Sequence, residues 1–141
     1  MTLVLDTSAL VKRYLREPGT HIVADVMERD PRWVVSVVAR TETELALCAG
    51  LDPADRAMAL ESLAADLDRC LSVPVDPECL SRATEIGCAH GVRTLDALHL
   101  AAADRLPRPV TFLTFDRRQA AAARQLGMVV VGIDADPDAA A

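Results

Sequence analysis

The sequence is poor in aromatic residues and in lysine. Aromatic side chains make up only 3% of the 141 residues, so the core must be built mainly from leucine, valine and alanine. Of the 15 basic residues, Lys12 is the one lysine, and the others are arginines. This argues against the phosphoacceptor signalling domains of similar length, because those domains need a lysine after a late strand.

Long apolar runs, cysteine pairs and glycine-rich motifs are also missing. No apolar stretch approaches the roughly 20 residues that cross a bilayer, and the first residues lack the basic segment of a secretory signal. We therefore expect a cytoplasmic protein without a membrane segment. The four cysteines include no C-x-x-C pair, which favours reduced thiols. The sequence contains neither a Walker loop nor a dinucleotide fingerprint nor a G-x-S-x-G motif.

What is present is the composition of one globular domain. The chain is 51% hydrophobic and carries a net charge of -6. This hydrophobic content is too high, for so modest a charge, to be that of a disordered protein. We expect a single domain over residues 1–133 and a frayed, acidic and alanine-rich tail over 134–141.

Predicted strands and helices alternate along this domain. Short, continuously apolar runs without period-2 alternation predict buried strands at 2–5, 33–36, 110–113 and 128–131, with an edge strand near 70–75 beside a proline. Helical spacing, prolines and glycines predict helices at 9–16, 20–29, 38–49, 54–68, 77–89, 95–105 and 120–126. This alternation is typical of a parallel sheet that is covered by helices on both faces.

Four acidic residues stand where such a fold places function. Asp6 and Asp116 follow predicted strands, and the carboxyl ends of parallel strands share one edge of the sheet. Glu42 lies on the helix after the second strand, and Asp96 lies in the first turn of an otherwise apolar helix. Clustered carboxylates need a cation, and hard oxygen ligands suit Mg²⁺ or Mn²⁺. The pattern favours metal-dependent phosphodiester chemistry only if all four acids converge, because each acid taken singly is better explained as a helix cap or a surface charge.

Four segments, in order along the chain, resemble the PIN-domain ribonucleases, specifically the VapC-type toxins of bacterial toxin–antitoxin pairs. The most specific are residues 3–19 (LVLDTSALVKRYLREPG) and 93–103 (RTLDALHLAAA). Weaker matches are Val35-Ser36 with an acid six residues later, and residues 112–118 (FLTFDRR) with the small residues that follow. Together the segments cover nearly the whole chain.

The resemblance implies a PIN-like fold, a three-layer α/β/α sandwich with a short, mostly parallel central sheet. It implies a Mg²⁺- or Mn²⁺-dependent endoribonuclease that cleaves structured RNA, either tRNA or rRNA, by in-line hydrolysis. The implied partners are a cognate VapB-type antitoxin and a second copy of the chain in a homodimer. Two alternatives stay open: an inactive PIN-like binding module, and a housekeeping PIN nuclease without an antitoxin.

The resemblance also assigns catalytic and metal-binding roles to the four acids. Asp6 and Asp96 would ligate the principal ion, and Asp116 and Glu42 would complete the shell or hold a second ion. Glu44 competes with Glu42 for this role. Residues two positions apart on a helix point about 200° away from each other, so only one of the two can face the other acids. Spacing from Ser36 favours Glu42, and Glu44 stays the alternative.

Other polar residues near these acids have two interpretations each. Thr7, Ser8 and Thr114 either orient the carboxylates or cap helices. His99, three residues after Asp96, is either a general base or a buried supporting residue.

Basic residues are the candidates for contacts with the RNA backbone. Arg93, Arg117 and Arg118 are close in sequence to the acids, and Lys12, Arg13 and Arg16 lie on the first helix. Because the net charge of -6 is unusual for a protein that binds polyanions, we expect weak RNA binding without a divalent ion. Apolar residues of the first two helices either line an antitoxin groove or belong to the core: Leu10, Val11, Tyr14, Leu15 and 23–27.

Overall fold

The computed structural model describes residues 1–133, so the predicted tail at 134–141 lies outside the described residues. Within the described part, no helix is long and apolar enough to cross a membrane. The strands are β1 (Thr2–Leu5), β2 (Trp33–Ser36), β3 (Leu71–Val73), β4 (Val110–Thr114) and β5 (Val129–Gly132). The helices are α1 (Thr7–Leu10), continued by a 3₁₀ turn (Val11–Arg13), α2 (Thr20–Arg29), α3 (Val38–Gly50), α4 (Pro53–Arg69), α5 (Pro77–His90), α6 (Thr94–Asp104) and α7 (Arg117–Gln125).

The strands form one parallel sheet in the order β3-β2-β1-β4-β5. This confirms the predicted parallel sheet and places β3, the strand beside the proline, at an edge. β1 lies in the centre, where Leu5 pairs with Leu113 of β4. The chain leaves β1 and β4 at the same edge of the sheet, and this brings Asp6 close to the start of α7.

Two separate cores cover the two faces of the sheet, which confirms the three-layer α/β/α architecture. Alternate residues of a strand point to opposite faces. Val4 and Phe112 belong to the core built with α5, α6 and α7, whereas Leu3 and Leu5 belong to the core built with α1 to α4. Leu5 and Phe112 are completely buried, and each such side chain contributes about 1.5–3 kcal/mol.

The beginnings of two helices differ from the prediction, and the reason is the same in both. The first helix begins at Thr7 and the last at Arg117, two and three residues earlier than expected. Asp6 and Asp116 themselves cap these helices: their Oδ1 atoms accept backbone N–H bonds from Ala9 (2.9 Å) and Gln119 (2.8 Å). The expected Thr7 or Ser8 cap was wrong, because the strand-ending aspartate accepts that bond.

The apolar residues expected at an antitoxin groove are mostly core residues. Leu10 and Val23 are completely buried, and Met27 is buried beneath Trp33. Among the residues expected at the groove, Tyr14 lines a surface cavity of about 690 Å³ that is formed with α4.

Candidate active site

Asp6 lies at the carboxyl end of the central strand and is buried. Its Oδ2 accepts a 2.7 Å hydrogen bond from the Thr114 hydroxyl, and the Ser8 hydroxyl lies 2.8 Å from Oδ1 and 2.9 Å from Oδ2. Burial raises the pKa of Asp6 to about 6, in spite of His99 nearby and the hydrogen bonds from Thr114, Ser8 and Ala9. The negative charge is therefore costly where it stands, and a cation would offset that cost.

Glu42 is held by side chains from two other helices. Its Oε1 accepts a 2.7 Å hydrogen bond from the Thr7 hydroxyl and lies 2.6 Å from Nε2 of His99. Burial raises the pKa of Glu42, but the bonds from His99 and Thr7 outweigh burial and leave the pKa below its ordinary value. Glu44 instead pairs with Arg40 at the surface, 2.8 Å away. Of the two competing glutamates, Glu42 is thus the one that points toward the other acids.

Asp96 and Asp116 line a common cavity of about 310 Å³. Burial raises the pKa of Asp96, and the negative charges of Asp116 and Glu42 raise it further. Asp96 is therefore close enough to Asp116 and to Glu42 to be repelled by both. Arg93 and Arg118 line the same cavity and bring positive charge to the rim of an acidic site.

Gln119 connects the Asp6 and Asp96 parts of the site. Its side chain is completely buried, with Oε1 3.1 Å from the Thr114 hydroxyl and Nε2 donating to the Asp96 carbonyl at 3.3 Å. The sequence analysis missed this residue. Gln119 does stand three residues after Asp116, which is the spacing of a capping box. That spacing predicts a side chain at the exposed start of a helix, not a buried one between two acids.

The chemistry of these donors fits a hard divalent cation, and the structure assembles part of the ligand set. All four acids offer carboxylate oxygens, which suit Mg²⁺ or Mn²⁺. Asp96 and Asp116 share a cavity, and a cation there would relieve their repulsion. Among the described residues, however, no group of three or more His, Cys, Asp or Glu side chains is arranged to hold a metal ion. The cavity shared by Asp96 and Asp116 is the part of this ligand set that the structure shows directly.

Basic residues of the first helix are engaged away from the acids. Nε of Arg13 pairs with Asp66 at 2.7 Å, and its guanidinium stacks on the Trp33 ring. Lys12 lies 3.4 Å from Glu17 and above the ring of Phe115. Of the two groups of basic residues expected to contact a ligand, the arginines around the cavity are the better placed.

Comparison with known proteins gives one family match and one curated relative. The PIN domain family matches residues 3–125. Ribonuclease VapC46 of Mycobacterium tuberculosis (strain ATCC 25618 / H37Rv) is 37% identical to this chain over 131 residues, which cover 92% of this chain and 95% of the relative.

Solved structures share the fold at low identity. The crystal structure of FitAcB from Neisseria gonorrhoeae gives a TM-score of 0.72 at 19% identity, covering 95% of this chain and 99% of that one. A toxin–antitoxin complex from Klebsiella pneumoniae gives 0.69 at 15% identity, with 91% and 96% covered. VapBC-5 from Mycobacterium tuberculosis, a member of the VapBC family of toxin–antitoxin systems, gives 0.61 at 21% identity, with 93% and 98% covered. These likenesses confirm the fold class that the sequence predicted.

Proposed function

The chain belongs to the PIN-domain family, and from that premise we propose that it is a metal-dependent endoribonuclease toxin. Its substrate is structured RNA, either tRNA or rRNA, which it cleaves in the cytoplasm. The observation that carries this proposal is the cavity that Asp96 and Asp116 line together with Arg93 and Arg118. Carboxylates that repel each other suit a cation, and arginines beside them suit a phosphate.

The four acids are the proposed ligands of Mg²⁺ or Mn²⁺, in two pairs. Asp6 and Asp96 are assigned to the principal ion, and Asp116 and Glu42 complete the shell or hold a second ion. When bound, the ion activates a water molecule for in-line attack on phosphorus and offsets charge on the non-bridging oxygens.

Neighbouring residues orient the carboxylates and supply positive charge for the RNA backbone. Thr114 and Ser8 hold the carboxylate of Asp6 in one orientation. Arg93 and Arg118, at the rim of the cavity, attract the phosphate backbone. Because the chain as a whole carries a net charge of -6, these local arginines and the divalent ion together must reverse the repulsion that RNA would otherwise meet.

The proposed partners are a cognate VapB-type antitoxin and a second copy of the chain. The surface cavity between the first helical turns and α4 supports an antitoxin site, because its wall combines the basic Arg13 and Arg16 with Met58, which is 70% exposed. Co-purification with the product of the neighbouring small reading frame tests this partner. Loss of that complex in Met58→Asp is expected, and a protein that binds no such product would favour a housekeeping nuclease.

RNA cleavage by the purified protein tests the function. We expect tRNA or rRNA cleavage with Mn²⁺ or Mg²⁺, and none in excess EDTA. Asp6→Asn and Asp96→Asn should lower the rate more than ~100-fold, whereas Asp25→Asn, at an exposed position on α2, should keep it. Equal cleavage by the wild type and both site variants would contradict the proposal, and a folded wild type without activity would favour the inactive binding module.

A further inference from the structure

His99 is a buried polar residue that lies between the acids. It is 2% exposed and stands on α6, three residues after Asp96. Its Nε2 is 2.6 Å from Oε1 of Glu42 and 3.2 Å from Oγ1 of Thr7. One imidazole nitrogen thus meets side chains from α1 and α3, and it links the three helices that carry the acidic site.

The hydrogen-bond partners define which nitrogen carries the proton. A carboxylate oxygen only accepts, so Nε2 of His99 must donate to Glu42. The Thr7 hydroxyl donates its one hydrogen to the same oxygen at 2.7 Å. Nδ1 of His99 is buried and has no hydrogen-bond partner among the described residues. The neutral ring with its hydrogen on Nε2 satisfies the contact with Glu42 and leaves only a lone pair, not a donor, in the apolar interior.

Both hydrogen bonds to Glu42 fall on the same oxygen. Oε1 accepts from Thr7 and His99, which leaves Oε2 to bind a cation. The side chain of Glu42 is 25% exposed, so without these two contacts its carboxylate would be free to change rotamer. Immobilising a ligand before the ion arrives raises metal affinity, and loss of such an orienting contact typically costs about 10–100-fold.

We propose that His99 is a positioning residue, which fixes the carboxylate of Glu42 through Nε2 so that Oε2 is presented to the divalent ion. This rests on the proposed function, since it takes Glu42 to be a metal ligand. We assign His99 no role as the general base, because Nε2 is engaged with Glu42 and Nδ1 is buried. A rival interpretation is that His99 only packs α6 against α3, and the experiment must separate the two roles.

Two substitutions at this position separate hydrogen bonding from packing. His99→Leu fills similar space without a donor, and His99→Gln places an amide N–H near the position of Nε2. We expect His99→Leu to bind Mn²⁺ about 10-fold more weakly by calorimetry and to lose at least as much in kcat, with the KM for RNA nearly unchanged. His99→Gln should recover most of both losses. Ile86→Val, a core change in α5, controls for a general loss of stability.

Several results would overturn the proposal. A folded His99→Leu with wild-type Mn²⁺ affinity would do so, as would His99→Gln that is no better than His99→Leu. If His99→Leu does not fold, ¹⁵N-edited NMR of the wild-type imidazole decides: Nε2 must carry a hydrogen, and a ring whose hydrogen is on Nδ1 alone contradicts the proposed contact. A wild type that binds Mn²⁺ in a His99-dependent way but cleaves no RNA would refute the proposed function and leave the role of His99 intact.

Discussion

The hydroxyl of Thr114 donates a 2.7 Å hydrogen bond to Oδ2 of Asp6, although 108 residues separate them in the chain. The contact follows from the pairing of β1 with β4, where Leu5 lies beside Leu113. Both polar side chains are buried. Parallel pairing thus adds a fixed donor from a distant strand to the donors that Ser8 and Ala9 provide to this buried carboxylate.

Replacing this donor tests whether the orientation of Asp6 matters for catalysis. Thr114→Val keeps the shape of the side chain but removes the shorter of the two hydroxyl contacts to Oδ2 of Asp6, so we expect cleavage to fall about 10–100-fold. Thr84→Val is the matched control, because the Thr84 hydroxyl donates to the Leu80 carbonyl on an exposed face of α5. Rates are measured at saturating Mn²⁺, and an equal effect of the two changes would show that the contact has no catalytic role.

The two neighbouring glutamates of α3 provide a second matched pair. Glu42 contacts His99, whereas Glu44 pairs with Arg40 at the surface. Glu42→Gln should lower RNA cleavage more than ~10-fold, and Glu44→Gln should change it less than ~2-fold, because an exposed ion pair contributes little. A larger loss in Glu44→Gln would mean that the wrong glutamate has been assigned to the site.

Gly132 allows β5 to lie directly against Thr114. Its φ of +108° is rare for other residues, and a Cβ there would lie 2.5 Å from the Thr114 carbonyl oxygen. Gly132→Ala should therefore lower the free energy of unfolding by about 2 kcal/mol or more. At Gly127, where φ is +83° and the space is open, alanine should cost about 1 kcal/mol. Urea denaturation measures both, and equal losses would contradict the close approach.

The Arg13–Asp66 pair predicts a pH-dependent part of the stability. Burial raises the pKa of Asp66, but hydrogen bonds from Arg13 and Tyr14 outweigh it and hold the pKa below its ordinary value. Stability from this pair is thus present above the unfolded pKa of about 3.9 and is lost as the pH falls through the lower folded value. Asp66→Asn should cost about 1 kcal/mol at pH 7 and much less near pH 2.5 in urea titrations. A loss that is constant with pH would contradict this.

Local sequence patterns were enough to predict the strands of the sheet. The strands 2–5 and 33–36 were predicted with the observed bounds, because each is a short apolar run with a clear end. The helices that follow Asp6 and Asp116 were placed too late. Aspartate caps helices as well as serine does, so the sequence left the cap ambiguous, and only the bonds from Ala9 and Gln119 show that the aspartates cap.

Contacts between residues far apart in the chain could not be predicted from the sequence. Helical spacing could show that Glu42 and Glu44 point in different directions, but only the fold shows which of them meets His99, 57 residues away from Glu42. Gln119 was missed for the same reason, because its inward orientation depends on Thr114 and the carbonyl of Asp96. Such contacts have no local pattern in the sequence.

The most direct test of the central claim is the affinity for Mn²⁺, measured by calorimetry in the absence of RNA. If the four carboxylates act on a shared divalent site, then Asp6→Asn, Glu42→Gln, Asp96→Asn and Asp116→Asn should each weaken binding about 10-fold or more. Glu44→Gln should bind as the wild type does. Wild-type affinity in all four site variants, with each variant folded, would contradict the claim.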